Sequence, residues 1–188
     1  MERVAIVGAS GSGKTTLAHR LAAIHGLSVI DLDRLYHRPG WAPTPTPEFR
    51  RIVAEALAEA GRWAVAGNYA VVADLVHGSA DAIVWIDLPR TRSTWRVARR
   101  SARRVATRAE LWNGNRERLA DVVSWDPERN PIRWTWVTHD DLRRRYASLA
   151  DTPLWRNKPV YRLRTVRDVD ALVSLETSAV RRPQPNEL

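Results

Sequence analysis

Two hydrophobic rhythms alternate along this chain. Arg3 to Val7 (RVAIV) is a short β-branched run, and Thr16 to Ile24 (TLAHRLAAI) then repeats apolar residues at helical spacing, so the chain opens as strand, loop, helix. LSVIDLD, Leu27 to Asp33, reads as a second strand ending in two carboxylates. Pro39, Pro43, Pro45 and Pro47 break the next stretch into an irregular connection that leads into a helix from about Pro47 to Ala60. RWAVAGNY (Arg62 to Tyr69) is a third strand, closed by Gly67. DAIVWIDLP (Asp81 to Pro89) is a fourth, almost continuously apolar as a parallel strand covered on both faces is. Val160 to Thr165 gives a last strand, followed by a helix from Val166 to about Leu175. Strands alternating with helices predict an α/β domain on a parallel, doubly wound, five-stranded sheet with helices on both faces.

Between Thr91 and Ala109 the pattern predicts a long two-sided helix. Trp95, Ala98, Ala102, Val105 and Ala109 fall on one face, and Arg96, Arg99, Arg100, Arg103 and Arg104 spread over the other. Like charges at i,i+4 spacing repel, so an anionic partner is expected to compensate. ELWNGNRERL and DPERNPIRWTWVTHDDLRRRY are dense in Trp and Arg, with Pro127 and Pro131 marking a break between helices. Arginines arriving from one side can neutralise charge on a transferring phosphoryl group, so residues 91–146 read as a lid over a nucleotide. The expected organisation is one domain over residues 1–176 and a flexible tail over 177–188.

The densest chemistry lies in VGASGSGKTT, residues 7–16. Gly8 through Thr15 fill G-x-x-x-x-G-K-[ST], between a strand and a helix where that loop belongs. Backbone amides of Gly8, Ala9, Ser10, Gly11, Ser12 and Gly13, with Lys14, Thr15 and Thr16 at the helix start, predict a cradle for the phosphates of ATP. Lys14 would reach the β- and γ-phosphates and Thr15 would ligate Mg²⁺. The glycines are expected where a side chain would obstruct a phosphate. Of the 30 basic residues only Lys14 and Lys158 are lysine, so position 14 resists a strong bias toward arginine. A compact ammonium fits among phosphate oxygens in a curled loop where a guanidinium fork would not.

Asp31 and Asp33, two apart at a strand end, would share one face of an extended strand, beside the place where ligands bind in such sheets. Asp31 would hold metal-bound water and Asp33 the acceptor. Asp87, after IVWI, fits both a metal-orienting carboxylate and a turn-forming residue before Leu88-Pro89. Tyr36 and His37 lie just beyond the carboxylate pair, within reach of an acceptor or on a loop surface. His19, His25, His37, His77 and His139 show no metal-ligand spacing.

Composition narrows the setting. The 188 residues, 44% apolar, suit a single core, and the lack of cysteine removes disulfides and thiolate metal sites. Neither a signal-peptide stretch nor a membrane-length apolar run is present, so a cytoplasmic protein with no membrane partner is expected. A net charge of +9 favours polyanionic partners.

GASGSGKTT, DLDRLYHRPGW, WAVAGNY, IDLPR, ELWNGNRE and Thr138 to Tyr146 together resemble the bacterial P-loop family of FlaR-like topology modulation proteins, also described as adenylate kinase-related kinases. The resemblance covers roughly residues 3–165. It implies a nucleoside-monophosphate-kinase-like P-loop NTPase core, a helical arginine-rich lid and ATP as donor, with Arg96, Arg100 and Arg116 as lid candidates. Asp31 and Asp33 resemble the acceptor-side pair of small-molecule kinases such as shikimate kinase. The chain departs from the family in carrying Ala66 where an Asp often precedes Gly-Asn-Tyr, which loads the metal role onto Asp31. The expected function is transfer of the ATP γ-phosphoryl group to a small acceptor, a nucleotide among the candidates, with Lys14, Asp33 and the lid arginines as catalytic residues. The alternative is an ATP-binding nucleic-acid-associated protein that uses the basic helix. A monomer and a homodimer fit the sequence equally.

Overall fold

The computed structural model describes residues 1–181. The five apolar runs become strands β1 (Arg3–Gly8), β2 (Ser28–Asp31), β3 (Trp63–Ala66), β4 (Ala82–Ile86) and β5 (Val160–Leu163). All pairings are parallel, in the order β2-β3-β1-β4-β5, with β1 at the centre. Helices α1 (Lys14–His25), α2 (Leu32–Tyr36), α3 (Thr46–Ala60), α4 (Ala73–Ser79) and α5 (Arg90–Ala106) come before residue 107. After it lie α6 (Leu119–Val122), α7 (Pro131–Ala150), α8 (Pro153–Arg156) and α9 (Val166–Arg181).

Alternation along each strand sends side chains to two separate cores. On one face Ala5, Val7, Val65, Ile83 and Trp85 pack with Phe49 and Val53 of α3, Tyr146 of α7 and Trp155 of α8. On the other, Val4, Ile6, Ala64, Val84 and Ile86 pack with Leu17, Ala18 and Leu21 of α1 and Leu172 of α9. With β1 buried from both sides, the loop that leaves its carboxyl end is anchored at the centre of the molecule.

Several boundaries differ from the sequence expectation, each for a local reason. The second strand stops at Asp31, because the Asp31 carboxylate accepts a hydrogen bond from the Asp33 amide at 3.0 Å and caps α2. Asp33 therefore lies in the first turn of a helix, and the expectation that both carboxylates share a strand face is corrected. The third strand ends at Ala66, leaving Gly67, Asn68 and Tyr69 free to turn back toward the loop after β1. In α5 the buried stripe is Ser93, Val97 and Ser101, whereas Trp95 is 68% exposed. The expected apolar face is thus not the packed one: small side chains are selected where α5 meets the loop after β1. α9 continues to Arg181, past the boundary expected at 176, and residues 182–188 of the expected tail lie outside the described residues.

Candidate functional site

The loop Gly8–Gly13 joins β1 to α1 at the carboxyl edge of the sheet, where ligands bind in open parallel sheets. Gly8 has φ 146° and Gly11 has φ 74°, conformations that L side chains rarely adopt. A Cβ on Gly8 would lie 2.4 Å from the Ile86 carbonyl oxygen of β4, and one on Gly11 would lie 2.4 Å from that of Ser93 in α5. At these two positions the obstruction is protein backbone, not the phosphate expected from sequence. The glycines let the loop sit in contact with β4 and α5.

Lys14, first residue of α1, folds back so that its Nζ donates to Gly8 O at 2.8 Å and Ala9 O at 3.1 Å. Burial, helped by the Arg100 charge, lowers its ammonium to about 8 against the opposing pull of Asp33 and Asp31. Asn68 grips the loop from the other side: its Oδ1 accepts from Gly8 N at 3.2 Å and its Nδ2 donates to Gly8 O at 2.5 Å.

In front of the loop opens a cavity of about 710 Å³. Its floor is Ser10, Gly11, Gly13, Lys14, Thr15 and Thr16; Gly8 and Ala9 stand behind, and Ser12 is 2% exposed. Asp31, Asp33, Arg34 and Ala66 line the side nearest β2 and β3. The Tyr69 hydroxyl donates to Asp33 Oδ1 at 2.7 Å, and burial together with that carboxylate pushes the phenol well above its usual range, keeping it a donor. Burial and the Asp33 charge raise Asp31, while the Asp33 amide, Lys14 and Trp112 act the other way.

Helix α5 contributes a row of lining side chains, Arg96, Arg100 and Arg104, four residues apart and hence roughly 6 Å apart along the axis. Arg96 donates to Ser12 O at 3.1 Å, which ties the row to the phosphate loop. Burial and the neighbouring Arg104 depress Arg100, against Glu117 and Asp33, and a guanidinium remains charged throughout. Arg104 pairs with the largely buried Glu117 at 2.6 Å. Arg116, a sequence candidate, is not brought into the cavity: it is exposed and paired with Glu110 at 3.3 Å. Arg104 occupies the place expected of it, and its signal was the i,i+4,i+8 spacing from Arg96.

The segment 107–118 is not a free lid. Asn113 Nδ2 donates to His37 O at 2.6 Å and Arg34 O at 3.2 Å, and Asn115 Nδ2 donates to Arg38 O at 2.9 Å. Trp41 N donates back to Asn115 Oδ1 at 2.9 Å, with Trp41 itself held at φ 62°. These bonds fasten a strap across the Asp33 side of the cavity, with Trp112 facing inward. His37 sits behind the strap, its ring 5.2 Å from that of Trp41 and 6.2 Å from that of Trp112; burial lowers it, against Asp33. Most of the expected lid, α5 and α7, packs on the body, and of the connection between them Glu110, Leu111 and Trp112 line the cavity.

Asp87 is taken up by ion pairs within the fold. Its carboxylate, 2% exposed, accepts from Arg162 of β5 at 2.6 Å and pairs with Arg143 of α7 at 3.2 Å. Among the described residues no group of three or more His, Asp or Glu side chains is placed to hold a metal alone. One hydroxyl, Thr15, and the Asp31 carboxylate on the same cavity match the partial donor set that Mg²⁺ takes when phosphate oxygens and waters complete its shell. Sequence reasoning passed over Asn68, Tyr69 and Trp112 and placed Arg104 only on the basic face; the Gly-Asn-Tyr triplet at a strand end was the available signal for the first two.

A family model described as isopentenyl transferase matches residues 1–39, which hold β1, the phosphate loop, α1, β2 and α2. The shikimate kinase of Corynebacterium diphtheriae is 34% identical over 113 residues, 53% of this chain and 65% of that protein, so the match spans less than two thirds of the relative. Among solved structures, shikimate kinase from Acinetobacter baumannii in complex with shikimate aligns with a TM-score of 0.50 at 21% identity, over 97% of this chain and 96% of that one. Deoxyadenosine kinase from M. mycoides with bound dATP gives a TM-score of 0.51 at 10% identity, over 93% and 98%. A protein from Eubacterium ventriosum gives 0.52 at 14% identity, over 97% and 100%. The chain shares its fold with these two kinases. No helix among the described residues is long and apolar enough to cross a membrane.

Proposed function

We propose that this protein is an ATP-dependent kinase that transfers the γ-phosphoryl group to a hydroxyl of a small acceptor. One observation carries the reading: Lys14, Asp33 and the arginine row Arg96, Arg100 and Arg104 line a single cavity. The 34% identity to a shikimate kinase supports it.

The loop amides and Lys14 bind the donor phosphates, and Thr15 and Asp31 would hold Mg²⁺, which would neutralise phosphate charge. Asp33 accepts the hydrogen bond of the acceptor hydroxyl, oriented by the Tyr69 phenol. As the acceptor oxygen bonds to the γ-phosphorus, the bond to the β–γ bridging oxygen breaks, ADP leaves, and the hydroxyl proton passes to Asp33. Arg96 and Arg100 stabilise the charge that spreads over the transferring group. Two neighbouring carboxylates favour a hydroxyl over a phosphate acceptor, because a second anionic group would be repelled where it must react. Nucleosides, nucleotides presenting a sugar hydroxyl and cyclic polyols all meet that requirement.

Metal-dependent ADP formation across a panel of nucleosides, nucleoside monophosphates and cyclic polyols tests this. One acceptor class should stimulate turnover, Lys14→Met should abolish it, and Asp33→Asn should lower kcat at least about 100-fold. Turnover that no acceptor raises, or that survives Lys14→Met, would overturn the reading. The likeness to topology modulation proteins and its nucleic-acid alternative rest on motifs alone, and three of the five arginines of the basic face, Arg96, Arg100 and Arg104, line the cavity.

A further inference from the structure

Resting on the kinase reading of this site, we propose that Asn68 is a positioning residue: it fixes the Gly8 peptide and keeps the Gly8 carbonyl partnered when Lys14 leaves it for phosphate.

Lys14 is engaged by the loop's own carbonyls, Gly8 O at 2.8 Å and Ala9 O at 3.1 Å. To meet a phosphate the ammonium must let go of both. An abandoned, poorly solvated carbonyl costs more than an ordinary hydrogen bond contributes, so a second partner at Gly8 O lowers the cost of that exchange. Asn68 is that partner, with Nδ2 2.5 Å from Gly8 O. Gly8 itself has no room to turn away, since it sits at φ 146° with the Ile86 carbonyl where a Cβ would be.

The amide is also the one side-chain group whose chemistry fits. Gly8 presents an N–H and a C=O to the same neighbour, and a primary amide returns an acceptor and a donor in one plane. Its orientation is set by a third contact: the Tyr146 hydroxyl donates to Asn68 Oδ1 at 2.9 Å. A flipped amide would turn its NH₂ toward two donors. Burial pushes the Tyr146 phenol upward, so it stays protonated, and its ring stacks on Trp155 at 6.0 Å between centroids. Position 68 thus ties β1, the loop and α7 together one residue before Tyr69, which orients Asp33. An ionised carboxylate lacks the donor, and glutamine would overreach by a methylene.

The test is MgADP binding by calorimetry with wild type, Asn68→Ala and Asn68→Ser, melting temperatures alongside, and ¹⁵N spectra of wild type in which the Asn68 side-chain NH₂ is identified. Both variants should bind MgADP about tenfold more weakly, the equivalent of one buried hydrogen bond, while remaining folded. In wild type the Asn68 NH₂ signal should move downfield as MgADP saturates, because it becomes the sole partner of Gly8 O. Affinity within twofold of wild type, or an NH₂ signal that does not respond to bound MgADP, overturns the assignment. If neither variant folds, the NH₂ signal decides by itself. Failure of wild type to bind MgADP would instead bring down the kinase reading, and this assignment with it.

Discussion

Lys14 carries both a cost and a use. Its folded value of about 8 lies below the ordinary 10.5, so between those pH values the unfolded chain holds more protons and stability rises with pH. The cost of confining the charge is fully present below about pH 8 and is relieved above it. Phosphate binding needs the charged form, so MgADP affinity should fall as pH climbs past about 8, by up to about tenfold per unit, with proton uptake on binding. Calorimetry in buffers of different ionisation enthalpy would show that uptake, and Lys14→Met should lose both the slope and the uptake. Asp31 and Asp33 were legible as residues because two carboxylates at a strand end are unusual; that Asp31 also caps α2 was not, because a capping bond depends on where the backbone turns.

At the scale of elements, the contact between the phosphate loop and α5 decides where the arginine row stands. Gly11→Ala would place a Cβ 2.4 Å from Ser93 O and 2.7 Å from Val97 Cγ2 at φ 74°. Overpacking and the left-handed backbone together predict a loss of about 2–4 kcal/mol in denaturant unfolding, with α5 displaced and nucleotide affinity reduced. The strap makes a separate prediction. Asn113→Ala with Asn115→Ala removes the side-chain bonds to Arg34, His37 and Arg38 and the one from Trp41, so the acceptor KM should rise about tenfold while MgADP binding stays unchanged. The same loss on both substrates would mean that the strap serves the whole cavity. Helix α5 also shows how periodicity misleads: Trp95 and the alanines outscore Ser93 and Ser101 in apolar character, yet contact with a bare glycine loop selects small volume over hydrophobicity.

Across the whole molecule, Asp87 joins three elements, taking Arg162 from β5 and Arg143 from α7 at the end of β4. Asp87→Asn keeps the shape and removes the charge that both guanidiniums face. It should cost about 2 kcal/mol, discounted for the half-exposed Arg143, and lower Tm by roughly 4–8 °C. Because Asp87 lies outside the cavity lining, kcat and KM of the proposed kinase reaction should hold in the folded variant. The same wide connectivity runs from Trp155 through Tyr146 and Asn68 to Gly8, so the core face that carries α7 also fixes the start of the phosphate loop.

The amino-acid sequence by itself determined the parallel α/β class, the five strands and the phosphate loop, because apolar periodicity and a contiguous motif are local properties that survive in any packing. It also singled out Asp31, Asp33 and an arginine-bearing helix as the chemistry to be brought together. Tertiary structure alone decided which arginines face the cavity, Arg104 in place of Arg116, and that two of the loop glycines yield to backbone instead of ligand. It alone joined Asn68 to a residue sixty positions earlier in the chain. Such choices depend on distances between segments far apart in sequence, and no local pattern encodes which of several chemically equal side chains the fold will turn inward.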